Sequence, residues 1–214
     1  MPEQERELAA TRIALLELKE ERRLMLDGYE LLDEKCMQLA AEIRRQAARL
    51  KTLTTEHREL ENAARAMLDA AIGRHGLEEL SVYPPLSLEQ DALHLSGSRL
   101  LGVPLLSTRL SLHATAEQAS MPAFNPSPEA RACARAHRQL LQAAAALATC
   151  QLNIRRLLRE YARTQRRARA IENVLMPEVE TAIAQTEEHL EGVDQEDIVR
   201  VRLRPIRTAW PPRP

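Results

Sequence analysis

The sequence predicts an all-α fold: a long antiparallel two-helix coiled coil, or helical hairpin, with a short β-hairpin or small globular tip between the helices. Three observations predict it. Of the 214 residues, 44% are hydrophobic but only 2% are aromatic, whereas compact domains usually draw more of their core from aromatic rings. Only six glycines occur, so few tight turns are available. Two long segments repeat apolar residues at helical spacing.

The first helical segment is expected over residues 1–76 and keeps one heptad register from Leu8 onward. Spacing of 3.5 residues keeps one narrow apolar stripe, called the seam below, facing a partner helix. The predicted seam residues of this segment are Leu15, Leu18, Met25, Leu32, Leu39, Ile43, Leu50 and Leu53. Gly73 and Gly76 form the first close pair of helix breakers, so the helix is expected to continue to this pair.

The second helical segment is expected over residues 126–198, where Ser127 can cap the helix and Pro128 suits its first position. Its predicted seam residues are Leu147, Ile154, Leu157, Tyr161, Ile171 and Leu175. Pro177 interrupts this segment and predicts a kink, because proline removes a backbone hydrogen bond and clashes with the preceding turn.

The two segments are nearly equal in length, and the simplest way to bury both seams is against each other, antiparallel. Facing residue numbers should then add up to about 200, which brings Leu39 near Tyr161. Residues 77–125 contain prolines, glycines and a strand-like alternation from Leu106 to His113, with Ala92 to Leu95 as a possible partner. This region is expected to close the helical hairpin. Residues 199–214 form a basic, proline-rich tail.

Several function classes are disfavoured by composition. Thirty Lys and Arg residues balance thirty-one Asp and Glu residues, whereas nucleic-acid binders are strongly basic. Nowhere do 18 apolar residues follow one another, so a soluble protein without a secretory signal or direct membrane insertion is expected. Cys36, Cys133 and Cys150 are odd in number and lack metal-ligand spacing, which indicates reduced cytosolic thiols.

The sequence also lacks phosphate-binding loops, dinucleotide-binding turns, zinc-protease helices and nucleophile elbows. We therefore predict a structural protein that is not an enzyme, with no catalytic, cofactor-binding or metal-binding residues. The candidates for partner contact are exposed arginines, which either form a solvated face or meet acidic groups on another protein. These candidates are Arg166, Arg167, Arg200, Arg202, Arg204 and Arg207.

Two stretches of the sequence are specific enough to compare with known families. The first runs from Thr11-Arg12 through Gly28-Tyr29 to Leu39, and the second from Arg166 to Pro177. They resemble the signatures of the D-subunit family of V/A-type ATPases. Between them, Gly102-Val103-Pro104 is similar to a short motif of the family's middle region. The chain departs from the family pattern where Cys36 replaces a basic residue and where Ala168-Arg169 replace a common Val-Asn pair.

The resemblance implies the central rotor shaft of a rotary ATPase or ATP synthase. Both termini would enter the hexamer of catalytic A and B subunits, and the middle region would bind the F subunit and the socket subunit on the membrane ring. Torque would couple ATP hydrolysis or synthesis to H⁺ or Na⁺ transport. The protein would be cytoplasmic and peripheral to the membrane.

Other interpretations of a long coiled coil stay open at this point. The main alternative is a scaffold or adaptor unrelated to a rotary ATPase. Another is the stalk of a type III export ATPase or an F-type γ subunit. The γ subunit carries a sizeable α/β domain between its helices, for which about fifty residues are too few.

Overall fold

The computed structural model describes residues 11–81, 93–111 and 127–203. Helix α1 spans Arg12–Ser81, and strands β1 and β2 span Leu93–Leu100 and Val103–Leu110. The second helical arm consists of α2 (Pro128–Ala170), a π-helical turn (Ile171–Leu175) and α3 (Met176–Leu203). The predicted fold class, two long helical arms with a β-hairpin between them, is confirmed. Leu8, Arg204 and Arg207 lie outside the described residues.

The chain divides into two compact units, one formed by Met1–Glu34 with Thr164–Pro214 and the other by Lys35–Arg163. In the first unit, α1 pairs with α3 through Arg12–Asp194 at 3.1 Å and Lys19–Glu187 at 2.7 Å.

In the second unit, α1 pairs with α2 through Lys35–Glu160 at 2.6 Å and Arg74–Glu129 at 3.0 Å. In each of the four ion pairs of the two units, the two residue numbers add up to a value between 195 and 206. A nearly constant sum is what antiparallel pairing requires. Within each unit the predicted antiparallel direction is therefore confirmed.

Both arms begin with side-chain caps. The Thr11 hydroxyl accepts the backbone N–H of Ala14 at 3.1 Å, and the Ser127 hydroxyl accepts that of Ala130 at 3.1 Å. Each cap satisfies an amide that has no partner inside the helix. Near the other end of α1, Gly76 leaves the helical conformation with φ 73° and ψ 165°, which glycine tolerates because it has no Cβ.

The two strands form an antiparallel hairpin, with Leu93 opposite Leu110 and Leu100 opposite Val103. The connecting residues Leu101 and Gly102 have φ values of 51° and 86°. Positive φ at both positions is typical of a type I′ turn, which matches the twist of the flanking strands.

The β-hairpin does not close the helical hairpin of the second unit, although the sequence had led us to expect this. Val103 is buried together with Leu39 of α1 and Leu157 of α2. Leu157 lies 29 residues beyond Pro128, roughly 40 Å along the helix axis. The β-hairpin lies on the side of the paired helices because its apolar residues add to their buried cluster.

Among the helices of the described ranges, none has an apolar stretch long enough to cross a bilayer.

Candidate partner-binding site

The predicted seam residues differ widely in burial. Leu39 and Leu157 are completely buried, and Ile43 and Tyr161 pack against the cluster that they form with Val103. The half-buried residues are Leu15, Leu18, Met25, Leu32, Ile43, Leu50, Leu53, Leu147, Ile154, Tyr161 and Ile171. Leu175 is 40% exposed and lies in the π-helical turn.

The π-helical turn explains why Leu175 is exposed. Between Thr164 and Ile183 the covered positions of the first unit's second arm include Gln165 and Ala182, each next to one end of a longer row. That row runs through Thr164, Ala168, Ile171, Met176, Val179 and Ile183. Their intervals are four, three, five, three and four residues, so the only irregular interval falls in the turn. The backbone N–H of Met176 bonds to the carbonyl of Ile171, five residues back instead of four. The turn therefore holds one additional residue, and Met176 takes the position predicted for Leu175.

Pro177 follows this turn directly. In a regular α-helix its ring would clash with the carbonyl four residues back, and that carbonyl would lose its donor. A π-helical turn inserts a residue at that point and changes the distance between the ring and the carbonyl. The structure places a π turn at Ile171–Leu175, directly before Met176 and Pro177, and the kink predicted at Pro177 stays a prediction.

A row of polar side chains on α2 covers the outer edge of β2. The Asn153 amide donates to the carbonyl of Leu106 at 2.7 Å and accepts the N–H of Leu106 at 2.9 Å. Arg156 donates to the carbonyl of Pro104 at 2.9 Å, and Gln142 donates to that of Leu110 at 3.4 Å. Unpaired strand edges invite pairing with other chains, and here a helix covers one such edge.

Sequence reasoning missed Asn153 because it considered only apolar spacing. A signal does exist, since Gln142, Thr149, Asn153 and Arg156 follow one another at intervals of seven, four and three residues. They form a polar stripe beside the seam at helical period. Pro104 is tolerated at this edge, because the position faces α2 and its missing N–H is not needed by β1.

A buried polar network joins the end of α1 to the start of α2. Nε2 of His75 lies 2.6 Å from the Ser127 hydroxyl, and Nδ1 lies 3.3 Å from Glu79. Although a Ser, a His and a Glu meet here, Ser127 is only 2% exposed and its hydroxyl caps α2. This arrangement supports a structural junction.

Next to this network, Glu129 pairs with Arg74 at 3.0 Å. Its own backbone N–H, opposed by burial and assisted by Arg74, holds the pKa of the Glu129 carboxylate below its usual range. Glu129 therefore stays charged in the first turn of α2, where the helix dipole favours a negative group.

We expect Ser127→Ala to lower stability by about 1 to 2 kcal/mol, because it removes a helix cap and leaves His75 without its closest hydrogen-bond partner. Chemical denaturation with circular dichroism measures the change. Ser98→Ala, at an exposed position of β1, is the matched control and should be neutral. Equal stability of the two variants would contradict the role of this junction.

The candidate contact arginines lie at two places of the first unit. Arg166 and Arg167 are exposed near the end of α2, and Arg200 and Arg202 are exposed near the end of α3. Among the described residues, Arg200 forms ion pairs within its own helix, with Glu196 at 3.4 Å and Asp197 at 3.7 Å. Arg204 and Arg207 lie outside the described residues.

The end of α3 combines these charges with exposed apolar residues. Ile198 and Val199 are about half exposed, and Val201 and Leu203 are 72% and 74% exposed. A surface that is both basic and apolar is typical of sites that contact another protein.

The three cysteines form no disulfide, and Cys36 and Cys150 are buried. Burial raises the pKa of the Cys133 and Cys150 thiols, so both are protonated at neutral pH. Across residues 11–81, 93–111 and 127–203, no group of three or more His, Cys, Asp or Glu residues could hold a metal ion.

Comparison with known proteins gives a consistent match. The sequence profile of the ATP synthase D subunit matches residues 14–203. This range includes both helical arms and the hairpin.

Individual relatives match over similar lengths. The D subunit of the V-type ATP synthase of Anaeromyxobacter dehalogenans is 28% identical over 195 residues, covering 91% of this chain and 93% of the relative. The D subunit of the A-type ATP synthase of Pyrococcus horikoshii is 28% identical over 199 residues, covering 90% of each chain. The V-type counterpart of Thermotoga neapolitana is 24% identical over 195 residues, covering 91% of this chain and 95% of the relative.

Proposed function

The chain belongs to the D-subunit family of ATP synthases, and from this premise we propose that it is the central rotor shaft of a V/A-type rotary ATPase. It couples ATP hydrolysis or synthesis in the catalytic hexamer of A and B subunits to transport of H⁺ or Na⁺ across a membrane. The match over residues 14–203 carries this proposal, because it extends across both arms and the hairpin.

The architecture of each unit supports a mechanical role. A shaft must transmit twist, and paired helices resist twisting better than a single helix because their side chains interlock along the seam. Ion pairs such as Lys35–Glu160 link α1 to the second arm. We infer that the chain is a non-catalytic subunit whose work is the transfer of torque.

We assign the partners by surface. The basic and apolar end of α3 is the part that enters the A/B hexamer. The second unit, with its hairpin, binds the F subunit and the socket subunit on the membrane ring. The protein is then cytoplasmic and held at the membrane by the complex, with no segment of its own inserted.

Co-expression with the A and B subunits of the same genome tests this function. Affinity purification of the tagged chain is expected to recover an assembly with both subunits and with ATPase activity. Recovery of the chain alone, or only as a self-associated coiled coil, would support a scaffold and contradict the rotor.

We expect the combined replacement of Arg200, Arg202, Arg204 and Arg207 by Ser to weaken capture of the A/B hexamer by about tenfold at low salt. One exposed pair contributes only about 0 to 1 kcal/mol, so no single arginine should be indispensable. The difference from wild type should shrink at high salt, because screening already removes the attraction. Binding is measured by titration at several salt concentrations.

The matched control replaces the same four residues by Lys, which keeps the charge. Helicity of the isolated chain should be unchanged in both variants, because Arg200 and Arg202 are exposed. Wild-type affinity of the Ser variant at low salt would move the contact to other surfaces of the shaft.

A further inference from the structure

The π-helical turn Ile171–Leu175 holds a residue that the seam does not need. If one residue of the turn were removed, the row of covered positions from Thr164 to Ile183 would follow intervals of four, three, four, three and four. That pattern is the one a regular helix uses to face a partner. If that one residue were absent, the arm could pack against α1 as a regular helix, as well as it does now or better.

The turn also presents groups that a regular helix would not present. Val174 is 50% exposed and Leu175 is 40% exposed. This exposed apolar pair forms a small contact surface, and π turns occur frequently at functional sites.

Charge determines what kind of partner fits this surface. Arg167 and Arg169 are exposed within the last turn of α2, directly before the π turn. No acidic residue occurs between Tyr161 and Ala170, and the turn itself contains one acidic residue, the exposed Glu172. The two arginines outweigh this one carboxylate. A second copy of the chain would therefore bring like net charges together, whereas an acidic surface with an apolar residue would complement both features.

We propose that the π turn and the exposed Arg167 and Arg169 form a docking surface for an acidic, apolar segment of the surrounding A/B hexamer. This inference rests on the proposed function, because it names the part of the first unit that receives force from the hexamer. Val174 and Leu175 provide the apolar contact, and the arginines select an acidic partner.

The test removes the turn without removing the seam. In the variant that combines deletion of Val174 with Pro177→Ala, a regular helix becomes possible through the whole arm. We expect its helicity and melting temperature to equal or exceed those of wild type, and its affinity for the A/B hexamer to fall at least fivefold.

Two controls separate packing from docking. Deletion of Glu180, an exposed residue of regular α3, shortens the chain equally but moves Ile183 out of the seam and should lower the melting temperature. Pro177→Ala alone keeps the additional residue and should keep its affinity for the hexamer. Equal destabilisation by the two deletions would contradict the spacing argument.

Full hexamer affinity in the Val174-deleted variant would overturn the docking surface. That outcome differs from failure of the proposed function, in which the wild-type chain itself does not capture A and B subunits. A second measurement uses Arg167→Glu with Arg169→Glu, which leaves the turn intact. It should also weaken capture, and unchanged capture would contradict the acidic partner.

Discussion

Leu157→Asp should be the most destabilising single substitution at a predicted seam position, with an expected loss of about 4 kcal/mol or more. Leu157 is completely buried between Leu39 of α1 and Val103 of β2. An unpaired carboxylate at this place would lose its hydration without gaining a partner. The substitution would also remove the apolar side chain on which α1, α2 and the hairpin meet.

The neighbouring position provides a matched control. Leu158 is 48% exposed, so Leu158→Asp adds the same charge to the same helix at a solvated site. Urea denaturation followed by circular dichroism should show a large loss of stability for Leu157→Asp and a change of about 0.5 kcal/mol or less for Leu158→Asp. Similar stability of both variants would show that this cluster does not hold the unit together.

Periodicity made the two arms predictable. Apolar residues that recur at helical spacing over many turns define a helix and the face that it buries, without knowledge of the partner. Equal length and a short connection then favoured antiparallel pairing, and Leu39 and Tyr161 do lie in one cluster. The cap at Ser127 was predictable for a similar reason, because capping depends on neighbours within the same helical turn.

The hairpin was only partly predictable. Local alternation placed a strand near Leu106, and the structure places β2 at Val103–Leu110. Where the hairpin lies depends on long-range contacts, such as Val103 with Leu39 and Asn153 with Leu106. Residues that meet only after folding leave no spacing in the sequence that would reveal their pairing.

The register change in the second arm was not predictable from periodicity, because Leu175 and Val179 both follow Ile171 at multiples of four. A continuous helix would turn these residues progressively away from the seam. The π turn corrects this by one residue, so that Val179 is buried while Leu175 is exposed. Pro177 predicted a kink, whereas the π turn before it required the structure.

The last prediction concerns Asn153, whose amide makes two hydrogen bonds to the backbone of Leu106. Asn153→Leu keeps a side chain of similar length but can neither donate nor accept. With the hairpin in place, the N–H and the carbonyl of Leu106 would both lack this partner, and each buried unsatisfied group costs about 1 to 3 kcal/mol.

The hairpin can avoid that cost by leaving α2, which would hydrate the edge of β2 but also take Val103 away from Leu39 and Leu157. The hairpin therefore either stays on α2 with the Leu106 groups unsatisfied or leaves α2, whichever costs less. We expect the free energy of unfolding to fall by about 2 to 4 kcal/mol. Hydrogen exchange distinguishes the two outcomes, because departure of the hairpin would speed exchange throughout β2 and leave α1 near Arg74 protected. Gln151→Leu, at an exposed position two residues away, is the matched control. If exchange and stability of Asn153→Leu equal those of that control, Asn153 does not hold the hairpin, and the remaining contacts, such as Val103 with Leu39 and Leu157, position it on the paired helices.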